Sequence, residues 1–304
     1  MVAGAVMRTT LRWLGRGSTV LILLVVAALA TVYAMSEMRM RRTWQVEASV
    51  PPVPADAAAI ARGEHLATIR GCRGCHAPDM GGATFIDSPP FAKLSGTNLT
   101  PGKGGVRLSD EALVRAIRHG VGSGGRSLLF MPSQEFAALS ESDMGDLLAY
   151  LHSLSPVDRE LPPNQVGPLG RLLFLAGKVP LLPAEVVDHA TRPAQPQPGP
   201  TAAYGEYLAA ACKGCHGPGL SGGHIPGTPP NWPDAANLTL DPTGLAAWSE
   251  VDLRRALREG VAPGGRALKA DFMPVRETRH LSDDEIAALY AYFRSLPPRV
   301  RGSR

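Results

Sequence analysis

One five-residue pattern occurs twice in this chain and limits what the rest can fold around. Cys72-Arg73-Gly74-Cys75-His76 and Cys212-Lys213-Gly214-Cys215-His216 both read C-x-x-C-H, the spacing for covalent attachment of c-type haem. Each haem needs two thiols to add across its vinyl groups and a neighbouring imidazole to reach the iron. Two residues between the cysteines let one helical turn present both sulfurs along a porphyrin edge, with the histidine aimed at the metal. The two motifs use all four cysteines of the chain. A zinc ribbon would hold its C-x-x-C pairs roughly 15 to 20 residues apart, whereas Cys72 and Cys212 are separated by 140 positions, and no cysteine is left over for a disulfide framework. The pattern therefore specifies two haem c groups, attached through Cys72 and Cys75 and through Cys212 and Cys215, with His76 and His216 as iron ligands.

Composition agrees with a core built around such groups. Aromatic residues are scarce, at 6%, and a porphyrin supplies a large apolar body in their place. The 33 glycines and 28 prolines favour short helices joined by extended loops. A length of 304 residues suggests about two domains.

From Gly17 to Ser36 no residue is charged, a run of about twenty and enough to span a bilayer. Arg8, Arg12 and Arg16 precede it. A signal peptide would find small-x-small sites at Ala28-Leu29-Ala30 and Val32-Tyr33-Ala34, but the apolar run outlasts a usual signal-peptide core of about 7 to 15 residues. The expectation is a retained anchor over residues 1–42. Either outcome carries the remainder across a membrane. Arg39, Arg41 and Arg42 balance the three arginines before the span, so charge counting leaves orientation open. The net charge of +4 comes from this segment, which holds six arginines against the single Glu37. The remainder is close to neutral, which argues against nucleic-acid binding. Trp44 fits a membrane interface or a buried site, and residues 43–55, with Pro51-Pro52-Val53-Pro54, read as an extended spacer.

Beyond it the chain repeats itself. Asp56 is a fitting N-cap for a helix over Ala57–Ile69 and Thr201 for one over Ala202–Ala211. Gly63-Glu64-His65-Leu66 matches Gly205-Glu206-Tyr207-Leu208, although the first unit has two more residues before its cysteine. Asn98-Leu99-Thr100 matches Asn237-Leu238-Thr239, and Ser109-Asp110-Glu111 matches Ser249-Glu250-Val251. Middle helices end at Gly120 and Gly260. Last helices start after Ser140 and Ser282, each with an acid three residues on. Internal duplication accounts for this. The domains are expected at 56–156 and 201–300. Residues 157–200 form the link between them, with a short helix packed between the domains and a polyproline-like stretch at Pro193 to Pro198.

The sixth iron position separates an electron carrier from a catalyst. Outside the N-terminal segment the methionines are Met80, Met131, Met144 and Met273. The repeat sets Met80 against Leu220 and Met144 against Ile286, which marks core positions. Met131 and Met273 alone face each other, in Phe130-Met131-Pro132 and Phe272-Met273-Pro274, and are assigned as the second axial ligands of haems 1 and 2. His65, His119, His152, His224 and His280 have no histidine counterpart in the other unit and read as solvated or structural. The loops at Pro89-Pro90 and Pro229-Pro230 are candidates to supply a carbonyl to the ligating imidazoles. Arg126 and Arg266 are candidate propionate contacts, a solvated loop arginine being the alternative for each.

C-x-x-C-H, a later Phe-Met-Pro and a closing amphipathic helix together resemble class I cytochrome c, here twice. The Asn-Leu-Thr segments resemble the cytochrome c subunits of bacterial membrane-bound alcohol dehydrogenases, which carry three haems against the two motifs here. The anchored layout is also similar to the diheme subunit of high-affinity haem-copper oxidases. The resemblance implies a mostly α fold, two tandem cytochrome c domains after a transmembrane helix. It further implies haem attachment outside the cytoplasm, hence an inner-membrane anchor with periplasmic domains. The expected function is single-electron transfer between a donor dehydrogenase or quinol-oxidising complex and a respiratory acceptor such as a terminal oxidase. A diheme peroxidase or a sulfur-compound oxidoreductase is the enzymatic alternative, and would need an open iron position that Met131 and Met273 close. A purely structural anchor would need no haem site.

Overall fold

The computed structural model describes residues 2–194 and 196–303, and side chains from Arg12 onward. Gln195, inside the proline-rich stretch, lies outside the described residues, as do Met1 and the side chain of Arg8. The first helix, α1, runs Val2–Met40. Its apolar stretch is exposed along Val20–Val26, while Ser36 near its end is fully buried. The next residues do not hang free as a spacer. Trp44 N donates to Gly125 O at 2.8 Å, Pro51 is buried, and a Cβ on Gly145 would lie 2.3 Å from Pro52 O. The stretch is extended, as its prolines require, and is laid against the first unit.

That unit starts with α2, Ala57–Ile69, whose first turn is capped by Asp56 accepting from Ala59 N, and continues into α3, Cys72–His76. Strands β1, Ala83–Ser88, and β2, Ala92–Gly96, form an antiparallel hairpin. Helix α4, Asp110–His119, is capped by Ser109 and closed by Gly120 at φ 65°, a left-handed turn that glycine adopts without a Cβ penalty. A 3-10 turn at Ser133–Glu135 precedes α5, Glu141–His152, capped by Ser140.

The connecting segment is structured. Strand β3, Gln165–Val166, pairs with β2, and α6 spans Pro168–Leu175. Helix α6 does not sit between the two units, as expected, but packs against the end of α1. Phe174, Val166, Leu181 and Leu182 form a small buried cluster that Met40 and Trp44 cover. Polar contacts fix the helix there: Arg171 Nη1 donates to Ser36 Oγ at 2.7 Å, and Arg171 pairs with Glu37 at 3.1 Å.

The second unit repeats the first. Helices α7, Ala202–Leu208, and α8, Ala210–His216, meet at a break at Ala209. Helix α9, Glu250–Glu259, and α11, Asp283–Ser295, both begin with full capping boxes, with strands β4, Val261–Ala262, and β5, Arg266–Ala267, and helix α10, Val275–Thr278, between them.

In each unit the first and last helices cross in backbone contact, and one glycine permits it. A Cβ on Gly63 would lie 2.0 Å from Asp146 O, and one on Gly205 1.9 Å from Ala288 O. Buried residues of both units then merge into one apolar core. The polar contacts across that junction repeat with the units exchanged: His65 Nε2 meets Glu285 Oε1 at 2.9 Å, and Tyr207 donates its hydroxyl proton to Asp143. His65 and Tyr207 occupy the same repeat position, and so do Glu285 and Asp143. The two units thus associate as a near-isologous pair, like the halves of a two-fold dimer.

Two outcomes are expected. Gly205→Ala forces α7 and α11 apart and should lower stability by about 2 kcal/mol in thermal unfolding of the holoprotein, with Gly214→Ala unable to mimic it at the crossing. The His65–Glu285 contact raises the imidazole pKa above 6.5, chiefly through the hydrogen bond to the carboxylate; for Glu285 burial pushes the carboxyl up, but the hydrogen bonds from His65 and Ser282 together with the imidazole charge outweigh it and leave the pKa below 4.5. The histidine contribution is present below its unfolded pKa and lost as pH rises through the raised value. The carboxylate contribution is present above its unfolded pKa and lost as pH falls through the lowered value. Junction stability should therefore peak between 4.5 and 6.5, and the difference in melting temperature between wild type and His65→Gln should shrink from about pH 6 to about pH 9.

Candidate functional site

Each C-x-x-C-H turn directs its imidazole by the same device. Nδ1 of His76 donates to Thr97 O at 2.7 Å, and Nδ1 of His216 to Ala236 O at 2.8 Å. A carbonyl accepts only, so the proton sits on Nδ1 and Nε2 keeps the lone pair an iron needs. The Pro89-Pro90 and Pro229-Pro230 loops do not supply these carbonyls. Pro90 O accepts from Leu169 N, in the first turn of α6, at 2.8 Å, and Pro229 O from Trp232 N, in a local turn, at 2.9 Å.

The carbonyls come from the residues immediately before the two Asn-Leu-Thr segments, which explains those segments. Asn98 and Asn237 are buried, at 0% and 1% exposure. Asn98 Nδ2 donates to Val157 O and Asn237 Nδ2 to Arg299 O, both at 2.8 Å. Each Asn Oδ1 accepts from the backbone N–H of the Thr two residues on, at 2.9 and 3.0 Å, and from its hydroxyl, at 2.8 Å in both units. The amide thus staples the segment that follows the last helix onto the segment that carries the imidazole's carbonyl. In the first unit the strand approaches the haem turn so closely that a Cβ on Gly96 would lie 2.1 Å from Cys75 O.

The cysteines and methionines border the shared core: Cys72, Met131, Cys212 and Met273 are all half-buried against it. Burial pushes the Cys72 thiol up to about 11 and that of Cys212 to about 12, so the uncharged form is preferred there, and a thioether meets that preference permanently. Burial also lowers the pKa of His76, against the hydrogen bond to Thr97, and favours the neutral, iron-binding imidazole. Met131 and Met273 sit on the same backbone turn. Pro132 at φ −80°, ψ 55° and Pro274 at φ −76°, ψ 61° form inverse γ-turns, closed by Ser133 N to Met131 O at 2.8 Å and Val275 N to Met273 O at 2.7 Å. By contrast Met80 and Leu220 are buried at 1%, both with φ 57°, and Met144 and Ile286 are buried completely. Repeat alignment of the methionines is matched by equivalent backbone and burial.

Arg126 and Arg266 are exposed on the hairpins that follow α4 and α9. Buried cationic atoms without hydrogen-bond partners occur instead at Arg70 Nε and at Arg118 Nε and Nη2. Among the other histidines, His152 contacts Asp110 at 2.8 Å and His119 lies 3.2 Å from His189, a contact with no counterpart in the repeat pattern. Sequence reasoning also missed Glu135. It ends the turn that begins at Met131 and reaches the second haem motif, where a Cβ on Gly214 would lie 2.1 Å from its Oε1. Burial raises its pKa to about 7, with Arg70 opposing. The two candidate sites therefore share a wall. Nothing local in the sequence marks Glu135, because its neighbour is 79 positions away.

These features define a protein with two cytochrome c domains. Residues 202–297 match the family model described as cytochrome c, and residues 58–151 match that of cytochrome c oxidase, cbb3-type, subunit III. The chain is homologous to the cytochrome c subunits of quinone-dependent alcohol dehydrogenases and carries two covalently bound haem c groups. It is 30% identical to the Gluconobacter oxydans subunit over 82% of this chain and 57% of that one. To the gluconate 2-dehydrogenase cytochrome c subunit of Pantoea cypripedii it is 34% identical, over 80% and 60%. A diheme c-type cytochrome of Cereibacter sphaeroides is 29% identical over 78% and 85%. The chain thus spans somewhat more than half the length of the dehydrogenase subunits it matches. Electron transfer is the role these comparisons support.

Replacing Asn98 with Ala removes the staple and leaves Val157 O with only the longer contact from the Thr100 hydroxyl, at 3.3 Å. The expected cost is about 1–3 kcal/mol in unfolding free energy, together with a shift of the haem 1 midpoint potential that Asn98→Asp does not fully restore. Thermal unfolding and redox titration check both.

Proposed function

We propose that this chain is a membrane-anchored, periplasmic electron relay, passing single electrons through two haems with His76/Met131 and His216/Met273 ligation. The observation that carries the reading is the matched placement of Met131 and Met273, each half-buried at the core edge on an identical Met-Pro turn, while the other paired methionine positions are filled core. When bound, haem c supplies a one-electron Fe(III)/Fe(II) couple. The residues hold each imidazole by a backbone carbonyl, offer a soft thioether that favours Fe(II), and exclude water with a shared apolar core. The common wall at Glu135 and Gly214 favours transfer between the two haems.

Retention of α1 as an inner-membrane anchor is supported by its packing, since its last turns are held by Arg171, Glu185 and Phe174. The first domain is then the membrane-side relay, and the second reaches the aqueous partner. The relatives' names favour a dehydrogenase as donor; a quinol-oxidising complex is the other donor on this reading, and a respiratory acceptor such as a terminal oxidase lies at the far end of the path. On this reading Arg266 remains a propionate contact of haem 2.

Met131→Ala and Met273→Ala test the ligation. Each should convert one haem to a high-spin ferric spectrum and lower its midpoint potential by on the order of 100 mV or more, leaving the other haem unchanged. An unaltered spectrum in either variant removes that methionine from the iron. A high-spin fraction in the wild type, with fast peroxide turnover, would favour the enzymatic alternative.

A further inference from the structure

A cleft of about 910 Å³ opens where α1 meets the first domain. Tyr33, Glu37 and Arg41 line it from the helix, Lys93 from β2, Arg126 from the hairpin after α4, and Arg171 from α6. None of Cys72, Cys75, His76 or Met131 does, so it is separate from the haem site. Its charges are unequal. Arg41 and Arg171 share the single Glu37, at 2.9 and 3.1 Å, and Lys93 pairs with Asp87 at 3.0 Å. Arg126 is exposed, and among the described residues its side chain has no hydrogen bond or ion pair. Its hairpin is nonetheless held in place, because its backbone bridges Thr43 and Trp44 N donates to Gly125 O.

The level of the cleft identifies what lies beside it. If the charge-free Gly17–Ser36 stretch fills a hydrocarbon layer of about 30 Å, Glu37 to Arg42 stand among the headgroups, where lipid phosphates are. Next to the cleft, α6 turns Leu169 and Leu172 outward, 46% and 53% exposed, three positions apart and so on one helix face. An apolar ridge beside a cationic cleft is the pairing of features that an interfacial lipid offers in reverse. The cleft's size is that of a site for a whole headgroup rather than a lone ion.

The geometry points to a phospholipid site: the cleft takes the phosphate of an anionic bilayer lipid, with Arg126 as its principal contact, and Leu169 and Leu172 enter the acyl layer beside it. This rests on the anchored reading of α1. Bound lipid would fix the tilt of the first domain on the membrane and hence the height of its haem. It also assigns Arg126 to lipid in place of a haem propionate.

The test uses the full-length diheme protein in detergent, with phosphatidylglycerol or phosphatidylcholine added and bound lipid read by native mass spectrometry. Wild type should retain phosphatidylglycerol, and Arg126→Gln should bind it about fivefold more weakly, with both haem spectra and the melting temperature unchanged. Leu169→Ser with Leu172→Ser should weaken retention without altering the preference for phosphatidylglycerol over phosphatidylcholine. Equal retention by wild type and Arg126→Gln overturns the site. So does displacement of the lipid by millimolar inorganic phosphate, which would make the ligand a soluble phosphate, or a quinone recovered in its place. Alkaline carbonate extraction of membranes reports separately on the anchor. Extraction of a protein that still binds phosphatidylglycerol overturns only the anchored reading, whereas resistance to extraction with no Arg126 dependence overturns only the lipid site.

Discussion

Under the proposed ligation by His76 and His216, the hydrogen bond from each histidine Nδ1 to a backbone carbonyl is the contact on which both haem sites depend. It fixes the tautomer, the ring plane and the direction of Nε2 at once. Five residues of C-x-x-C-H cannot supply it, because the carbonyl belongs to a residue about twenty positions further along, Thr97 or Ala236. Much of each domain is arranged to hold that distant carbonyl still. The buried Asn amide locks its segment to the chain beyond the last helix, and the last helix is locked to the first through Gly63 or Gly205. The first helix runs into the cysteines, which closes the circuit. A disturbance at any of these places reaches the iron through the carbonyl.

This circuit explains what was legible in the sequence and what was not. Helix starts were legible at Asp56, Ser140, Thr201 and Ser282, because each acts through the backbone groups nearest to it. The core methionines were legible because duplication gave each a partner to be compared with. The carbonyl acceptors were not. The paired prolines were candidates for these carbonyls, but the imidazoles bond Thr97 O and Ala236 O, while Pro90 O and Pro229 O accept from Leu169 N and Trp232 N. The position of α6 was missed for a related reason: Phe174 needed an apolar partner, and the end of α1, read only as a membrane span, provides it. Periodicity reports which face of a helix is apolar, and says nothing about which apolar surface will cover it.

The domain junction shows how duplication was put to use. A junction between two copies of one domain begins with like residues facing like, since any contact of position a with position b is repeated as b with a. Here position a became His65 in one copy and Tyr207 in the other, and position b became Glu285 and Asp143. Each pair remains a donor facing a carboxylate, so the geometry survives, but the two halves differ in chemistry. Burial, then Asp143, pushes the Tyr207 hydroxyl up to about 12, so that half keeps its proton throughout the neutral range, whereas the other half rests on an imidazole whose pKa its carboxylate partner raises.

The symmetry is broken most where the haem sites meet. Two extra residues before Cys72 place Arg70 in the junction, where its guanidinium donates to Tyr207 O at 3.2 Å and Leu208 O at 3.4 Å, and the second unit has no counterpart. Arg70 also faces Glu135, whose carboxylate occupies the space left by the missing side chain of Gly214. The equivalent space at Gly74 is open. The first site thus presents its methionine turn to the attachment helix of the second, and the second does not return the contact. A duplicated chain that kept perfect symmetry would give its two irons the same surroundings and no gradient between them. The insertion at Arg70 and the contact at Gly214 place a buried cation and a buried acid between the first unit's methionine turn and the second unit's attachment helix with no counterpart the other way round, and unequal surroundings of that kind are what sets the potentials of chemically identical haems apart.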